Sequence, residues 1–139
     1  MKVLFVCVHN AGRSQMAQAM FNDMASKRGL SARAESAGTL GGKDLNPKAV
    51  AAMAELGISM ADHRPKLLTQ AMADEADLII SMGCGVDADA CPAKFLLTED
   101  WALDDPAGES IEKVREIRDA IQMHVENLLA RIQQTHATH

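Results

Sequence analysis

Short apolar runs recur along the chain and predict the strands of a buried sheet. The run at residues 2–6, which contains two β-branched valines, is typical of a strand that is covered on both faces of a parallel sheet. Residues 78–82 form a similar run, and residues 95–97 a shorter one. Residues 32–36 alternate alanine with charged or polar residues, which predicts a half-exposed edge strand. Four strands are therefore expected.

Between these runs, apolar residues recur at helical spacing. A first helix is predicted after a loop at residues 8–12, and Lys27-Arg28-Gly29 supplies basic residues and a glycine at its end. Asn46-Pro47 predicts the start of a second helix, because asparagine caps helices and proline suits the first turn, and Gly57 predicts its end. A short helix is expected at residues 69–75.

The strongest helical pattern lies at the end of the chain. Apolar residues repeat from Ile111 to Ile132 and are interleaved with charges, which predicts one long amphipathic helix. Residues 133–139 are expected to fray beyond it.

Strands that alternate with helices predict an α/β fold class. We expect a small, doubly wound, flavodoxin-like fold in three layers, with a four-stranded parallel sheet between helices. The 139 residues match one domain, so residues 1–139 are expected to form a single unit. Ligands bind such sheets beyond the carboxyl ends of the strands. Because Cys7, Cys84 and residues 100–106 each follow a predicted strand, we expect them at one edge of the sheet.

Composition and charge narrow the function. A net charge of −5 argues against a nucleic-acid partner. The longest early apolar stretch is far shorter than a membrane span or a signal-peptide core, so we expect a cytoplasmic monomer with no membrane partner. Nine Met, three Phe, one Trp and no Tyr predict a core of aliphatic and thioether side chains, with little aromatic surface to hold a flat substrate.

The strongest chemical signal is the segment Cys7-Val8-His9-Asn10-Ala11-Gly12-Arg13-Ser14, called here the Cys7 loop. Its backbone N–H groups, the start of the following helix and the forked guanidinium of Arg13 predict a cradle for a tetrahedral oxyanion, formed by Val8, His9, Asn10, Ala11, Gly12, Arg13 and Ser14. The same donors stabilise a thiolate, so Cys7 is expected to be a nucleophile. The alternative is that Cys7 is only a small buried apolar residue.

The Cys7 loop, the order of the predicted elements and the pair Asp105-Pro106 resemble the low-molecular-weight protein tyrosine phosphatase superfamily over essentially the whole chain. The resemblance implies a phosphatase I-like fold and assigns Asp105 as the general acid that protonates the departing oxygen. A positioned acid contributes about 10²–10⁴-fold to such a reaction. The alternative is that Asp104 and Asp105 only turn the chain before the proline.

Cys84 and Cys91, with six residues between them, resemble the cysteine pair of the thioredoxin-coupled arsenate reductases in that superfamily. The resemblance implies that Cys7 attacks arsenate, that Cys84 then attacks Cys7 with release of arsenite, and that Cys91 attacks Cys84. The redox disulfide Cys84–Cys91 is then reduced by thioredoxin. No metal is expected, because Cys84, Cys91 and His9 lack the usual zinc spacing.

Other readings stay open on the sequence. A phosphomonoester phosphatase would need only Cys7, Arg13 and Asp105. Members of the family that act on phosphotyrosine usually carry aromatic residues after the Asp-Pro pair, whereas Ala107-Gly108 follow here. A small anion such as arsenate, phosphate or sulfate therefore fits better. A non-catalytic oxyanion-binding redox sensor is a third reading, and glutaredoxin with glutathione, or mycothiol, could replace thioredoxin.

Supporting residues are less defined by the sequence. Asn10 matches a family asparagine that shapes the cradle and that, in some members, helps to place potassium with a glutamate of the first helix. Gln18 stands at that position here, which argues against potassium dependence. His9 either tunes the cradle or faces solvent, and Ser36 either supports the loop from the second strand or ends that strand. The cluster His63-Arg64-Pro65-Lys66 is expected to be an ordinary solvated connection, and the alternative is that it guides an anion or a partner.

Overall fold

A four-stranded parallel sheet forms the centre of the computed structural model, which describes residues 1–7, 9–39, 44–82, 99–101, 103, 104, 106 and 108–137. Its strands are β1 (Lys2–Cys7), β2 (Arg33–Gly38), β3 (Leu78–Ser81) and β4 (Glu99–Asp100). They lie in the order β2-β1-β3-β4, and every neighbouring pair is parallel. The α/β class and the edge position of β2 are confirmed. The strand expected at residues 95–97 lies outside the described residues, and β4 begins at Glu99.

In the described part of the chain, four helices accompany the strands: α1 (Arg13–Lys27), α2 (Pro47–Ala54), α3 (Gln70–Glu75) and α4 (Ile111–Ala137). The cap predicted for α2 is confirmed, because the Asn46 side chain accepts hydrogen bonds from two backbone N–H groups of its first turn. α1 ends next to Gly29, whose φ of 69° is the left-handed conformation that glycine adopts easily.

The last helix is longer than the sequence pattern indicated. Fraying was expected from Gln133, but α4 continues to Ala137. Extending an existing helix gains one hydrogen bond for each residue that is ordered. The side chain of Gln133 also accepts a hydrogen bond of 3.1 Å from Arg28, which fixes this end of α4 to the end of α1.

Two apolar cores lie on opposite faces of the sheet, as a doubly wound fold requires. Val3, Phe5 and Cys7 of β1 belong to the larger core with α1, α2 and α4. The alternate residues Leu4 and Val6 belong to the smaller core beside α3. The expectation that methionine fills the core is confirmed by the buried side chains of Met16, Met20, Met53, Met60 and Met82.

The sheet topology places a crevice at the end of β1. β1 and β3 are neighbours in the sheet, but the strand after β1 is β2, on one side of this pair, and the strand after β3 is β4, on the other. Ligands bind in open α/β sheets at such a switch point, beyond the carboxyl ends of the strands. Cys7 is the last residue of β1 and stands at this point. Within the described ranges, no helix combines the length and the apolar character that crossing a membrane requires.

Candidate active site

Cys7 lies at the floor of a site formed by the Cys7 loop. Its side chain is buried, with 3% of its surface exposed. The Cys7 sulfur lies 2.8 Å from the Ser14 hydroxyl oxygen and accepts a hydrogen bond of 3.2 Å from the backbone N–H of Asn10. α1 begins at Arg13, so its N-terminal end lies next to the same loop. These donors and the helix N-terminus favour negative charge on the sulfur or on a bound anion.

Asn10 holds the Cys7 loop in a left-handed turn. It has a φ of 56°, a conformation that asparagine tolerates better than most residues. Its side-chain amide donates to the Ser14 hydroxyl at 2.7 Å. Its side-chain oxygen accepts from the backbone N–H of Lys66 at 2.8 Å and from Gln15 at 2.9 Å. Asn10 is fully buried, so these contacts satisfy an amide that water does not reach.

The Cys7 loop opens into a cavity of about 400 Å³. On one side it is lined by Cys7, His9, Asn10, Ala11, Gly12 and Arg13, and on the other by Asp44, Asn46, Pro47, Lys48, Pro106 and Gly108. Of the predicted cradle residues, Ser14 is buried behind the cavity against Cys7, and Val8 lies outside the described residues. His9 is exposed at the rim.

Arg13 connects the Cys7 loop to the ends of two other strands. It is buried, with 7% of its surface exposed. Its Nη1 donates to the carbonyl of Met82 at 2.8 Å and to the carbonyl of Leu103 at 2.9 Å. Met82 follows β3 and Leu103 follows β4. The carboxyl ends of these strands therefore lie at the same edge as Cys7. Cys84, Cys91 and Asp105 themselves lie outside the described residues.

The residues that flank Asp105 have defined positions. Pro106 packs so closely on Gly12 that a Cβ atom at Gly12 would lie 2.7 Å from Pro106 Cγ. The carboxylate of Asp104 forms an ion pair of 2.8 Å with Lys113 of α4. The hydrogen bond from Lys113 holds the pKa of Asp104 below its usual value, and Arg13 adds a smaller effect in the same direction.

Two residues of the cavity wall were not found from the sequence as parts of the site. The backbone N–H of Asn46 donates to the carbonyl of Ala11 at 2.8 Å, so the cap of α2 also holds the Cys7 loop. The Lys48 ammonium donates to the carbonyl of Glu109 at 2.5 Å. The Asn-Pro pattern was the only sequence signal here, and it indicated a helix start alone.

The cluster at residues 63–66 was expected to be a solvated connection, and for His63 this is wrong. His63 is partly buried, and its Nδ1 lies 2.8 Å from the side-chain oxygen of Gln15. Burial, followed by the charge of Lys66, lowers the pKa of His63, while Asp62 acts in the opposite direction. A polar residue at Gln15 on the buried side of α1, where it is 1% exposed, was the one available signal.

The side chains that the resemblance connects with potassium are occupied by protein donors. The side-chain oxygen of Asn10 accepts two N–H groups, and that of Gln18 accepts the hydroxyl of Ser36 at 2.5 Å. This arrangement does not fit a cation, and no step below depends on one. In the part of the chain that the structure describes, no three His, Cys, Asp or Glu side chains cluster as metal ligands do.

The chain is similar to several proteins named arsenate reductase. A glutaredoxin arsenate reductase from Synechocystis sp. is 36% identical over 132 residues, which cover 94% of this chain and 98% of that protein. A solved arsenate reductase in the phosphate binding state is 35% identical, with a TM-score of 0.81, over 94% of this chain and 98% of that one. A thioredoxin-dependent arsenate reductase from Corynebacterium glutamicum is 36% identical, with a TM-score of 0.76, over 96% of this chain and 62% of that one.

The family itself is defined by a match over nearly the whole length. The family model described as low molecular weight phosphotyrosine protein phosphatase matches residues 2–138. That range contains the parallel sheet, the Cys7 loop and the cavity. The chain therefore belongs to the low molecular weight phosphotyrosine protein phosphatase family.

Proposed function

We propose that this protein reduces arsenate to arsenite, with Cys7 as the nucleophile. The observation that carries the proposal is the buried Cys7 sulfur, which accepts the Asn10 N–H and contacts the Ser14 hydroxyl at the floor of the cavity. A thiolate in that position faces an anion held by backbone donors and Arg13. The similarity to proteins named arsenate reductase over most of the chain supports arsenate as the substrate.

In the first step, the Cys7 sulfur forms a bond to arsenic(V) and one arsenate oxygen leaves as water. Asp105 supplies the proton to the departing oxygen. Asp104 is a poor candidate for this role, because its ion pair with Lys113 keeps its pKa low and its carboxylate ionised. Pro106, the residue after Asp105, lines the cavity and packs on Gly12.

In the second step, the Cys84 thiolate attacks the Cys7 sulfur. A Cys7–Cys84 disulfide forms, and the electron pair of the sulfur–arsenic bond goes to arsenic, which leaves as arsenite. Cys91 then attacks Cys84, and Cys7 leaves as a thiolate. Arg13 donates a hydrogen bond to the carbonyl of Met82, two residues before Cys84. This contact supports the route, because it connects the chain just before Cys84 to the Cys7 loop.

We infer that thioredoxin is the electron donor that reduces the Cys84–Cys91 disulfide. A disulfide within one chain suits a dithiol donor, whereas glutaredoxin normally acts through a glutathione adduct. The relatives support both donors, since one is named a glutaredoxin enzyme and another a thioredoxin-dependent one. A cytoplasmic monomer is the form in which we expect the protein to act.

The test is arsenate-dependent NADPH consumption with thioredoxin and thioredoxin reductase, beside a parallel assay with glutaredoxin and glutathione. Cys84→Ser is expected to abolish turnover. Cys91→Ser is expected to release one equivalent of arsenite and then stall with a Cys7–Cys84 disulfide, detectable by mass spectrometry of the non-reduced protein. Normal cycling of Cys91→Ser with thioredoxin would contradict the three-cysteine route.

Phosphomonoester hydrolysis is the second candidate function, and the family match supports it. It would use Cys7, Arg13 and Asp105 without the other cysteines. The phosphatase would be established by two results together: the unmodified protein shows no arsenate turnover, and aryl phosphate hydrolysis persists in Cys84→Ser/Cys91→Ser. Tight arsenate binding with neither activity would indicate an oxyanion-binding redox sensor.

A further inference from the structure

A continuous series of hydrogen bonds leads from His63 to the nucleophile. His63 Nδ1 contacts the side-chain oxygen of Gln15 at 2.8 Å, and Gln15 Nε2 donates to Asn10 Oδ1 at 2.9 Å. Asn10 in turn donates its side-chain amide to Ser14 and its backbone N–H to Cys7. All members except His63 are fully or almost fully buried. The nucleophile is therefore connected, through buried groups, to a residue 48 positions from Gln15 in the sequence.

The orientation of the Gln15 amide is fixed by its surroundings. Its Nε2 faces three oxygen atoms, Asn10 Oδ1 and the carbonyls of Asn10 and Arg64, at 2.9 to 3.1 Å. A flipped amide would place oxygen against three acceptors, which is unfavourable. The Gln15 oxygen must therefore face His63, and His63 Nδ1 must carry the proton of that bond.

This hydrogen bond persists in either charge state of the imidazole, because Nδ1–H is a donor in both. Burial is the main cause of the lowered pKa of His63. The charge of Lys66 lowers this pKa further, and the charge of Asp62 raises it. The neutral form is therefore favoured at neutral pH. His63 serves as a fixed donor that orients Gln15.

Gln15 donates hydrogen bonds to Asn10, the residue of the Cys7 loop that has the left-handed backbone conformation. Asn10 has a positive φ, and it is the backbone N–H of this residue that reaches the Cys7 sulfur. Without Gln15, the carbonyl of Asn10 loses a donor inside the protein and its side-chain oxygen keeps only the N–H of Lys66. An unmet buried acceptor is costly, so the turn is expected to relax and to weaken the N–H donor on the sulfur.

We propose that Gln15, oriented by His63, is a positioning residue that sets the reactivity of Cys7 through the left-handed turn at Asn10. This inference rests on the proposed role of Cys7 as the nucleophile. It assigns a functional contribution to two residues that do not line the cavity above Cys7.

The test measures the alkylation of Cys7 by iodoacetamide as a function of pH. Cys84→Ser/Cys91→Ser is the background, because Cys7 is then the only cysteine in the chain. Gln15→Met keeps the size of the side chain and removes both polar functions. We expect its alkylation profile to move to higher pH by about one unit, so that alkylation is about tenfold slower at any pH below the midpoints of both profiles.

Gln18→Met is the matched control, since Gln18 lies one turn further along α1 and contacts Ser36 rather than the Cys7 loop. Its alkylation rate at each pH is expected to lie within about twofold of that of the background protein, a difference equivalent to a few tenths of a kcal/mol. His63→Gln is expected to leave the alkylation profile close to that of the background protein, because its amide can still donate to Gln15. His63→Ala is expected to shift the profile to higher pH, as Gln15→Met does. Circular dichroism and thermal unfolding confirm that each variant is folded.

An unshifted profile for folded Gln15→Met and His63→Ala would overturn the proposal, as would an equal shift for Gln18→Met. The measurement needs no arsenate and no electron donor. Arsenate turnover is measured separately, in the protein that retains all three cysteines. A shifted alkylation profile together with no such turnover would refute the proposed function and leave this inference intact, while turnover together with an unshifted profile would do the reverse.

Discussion

At the scale of single residues, the surroundings of Asp104 argue against it as the general acid. Asp104 is exposed and paired with Lys113, which lowers its pKa and keeps it ionised at neutral pH. An ionised carboxylate cannot donate a proton to a leaving oxygen. The acid that we propose is Asp105, the residue that the family resemblance assigns, and the neighbouring Asp104 serves as its control.

Asp105→Asn is expected to lower kcat for arsenate reduction by about 10²–10⁴-fold, the usual contribution of a general acid. Asp104→Asn keeps the same backbone and is expected to lower kcat by less than about tenfold, because it removes only an exposed ion pair. Steady-state turnover with saturating thioredoxin measures both. Equal losses in the two variants would count against the assignment of Asp105.

Gln15 and Asp104 show why residue type alone does not predict a role. Gln15 is 1% exposed on a helix whose buried positions are otherwise mostly apolar. Its side chain contacts Asn10 of the Cys7 loop and the distant residues His63 and Arg64. The sequence marks it only as a polar residue on the wrong side of an amphipathic helix. Its partners become visible only when the chain is folded.

At the scale of elements, the site depends on three segments that meet around the start of α1. The Cys7 loop, the start of α2 and the segment around Pro106 are joined by the bond of Asn46 to Ala11 and by the packing of Pro106 on Gly12. Lys48 adds the bond to the carbonyl of Glu109. The width of the cavity is therefore set by contacts between elements.

Gly12→Ala tests this packing. Its Cβ atom would lie 2.7 Å from Pro106 Cγ, so the proline must move, at a cost of about 1–3 kcal/mol. Lower stability in urea and lower kcat are both expected, because Pro106 follows the proposed acid. Pro106→Ala removes Cγ, so the double variant is expected to recover most of the stability lost in Gly12→Ala. Additive losses in this double-mutant cycle would show that the two residues do not interact.

The packing of α1 on the sheet is tested by Phe21. Phe21 is fully buried, and its ring meets that of Phe5 edge to face, with centroids 6.2 Å apart. Phe21→Ala is expected to lower the free energy of unfolding by about 3–5 kcal/mol, and Phe21→Leu by much less. Urea denaturation followed by circular dichroism measures both. A loss below about 1 kcal/mol for Phe21→Ala would show that the core collapses to fill the space.

At the scale of the whole molecule, α4 packs across α1 and α2 and completes the larger core. Its outer side is joined to α2 through Glu55, which pairs with Arg115 at 2.6 Å and with Arg118 at 2.7 Å. Arg118 also donates to the carbonyl of Ala52. The hydrogen bond from Arg115 is the main cause of the lowered pKa of Glu55, and Arg118 adds to it.

The pH dependence of stability follows from this shift. Because the folded pKa of Glu55 is lowered, its contribution is present above its unfolded pKa of about 4.3 and is lost as pH falls through the folded value. Glu55→Gln is therefore expected to lower the urea midpoint of unfolding at pH 7. At a pH below the folded pKa of Glu55, its midpoint is expected to match that of the unmodified protein. Glu126→Gln is a control on the exposed side of α4. An undiminished difference at low pH would exclude the ion pairs as its cause.

Local patterns in the sequence determined the elements and the chemistry of one loop. Apolar periodicity is set by the geometry of a helix or strand, so α1, α2, α3 and the strands β1, β2 and β3 could be predicted. The Cys7 loop could be recognised because its cysteine, arginine and serine are close in sequence and directly precede a helix. The family followed from the same residues and from Asp105-Pro106.

The tertiary structure decided which distant groups act on that loop. Gln15 and His63 are 48 positions apart, and Lys48 and the carbonyl of Glu109 are 61 apart. The ion pair of Asp104 with Lys113 and the extension of α4 to Ala137 likewise depend on packing. Periodicity reports which face of an element is buried and gives no information about which atoms of another element it meets. Those contacts are fixed only when the crossovers bring the carboxyl ends of β1, β3 and β4 to one edge of the sheet.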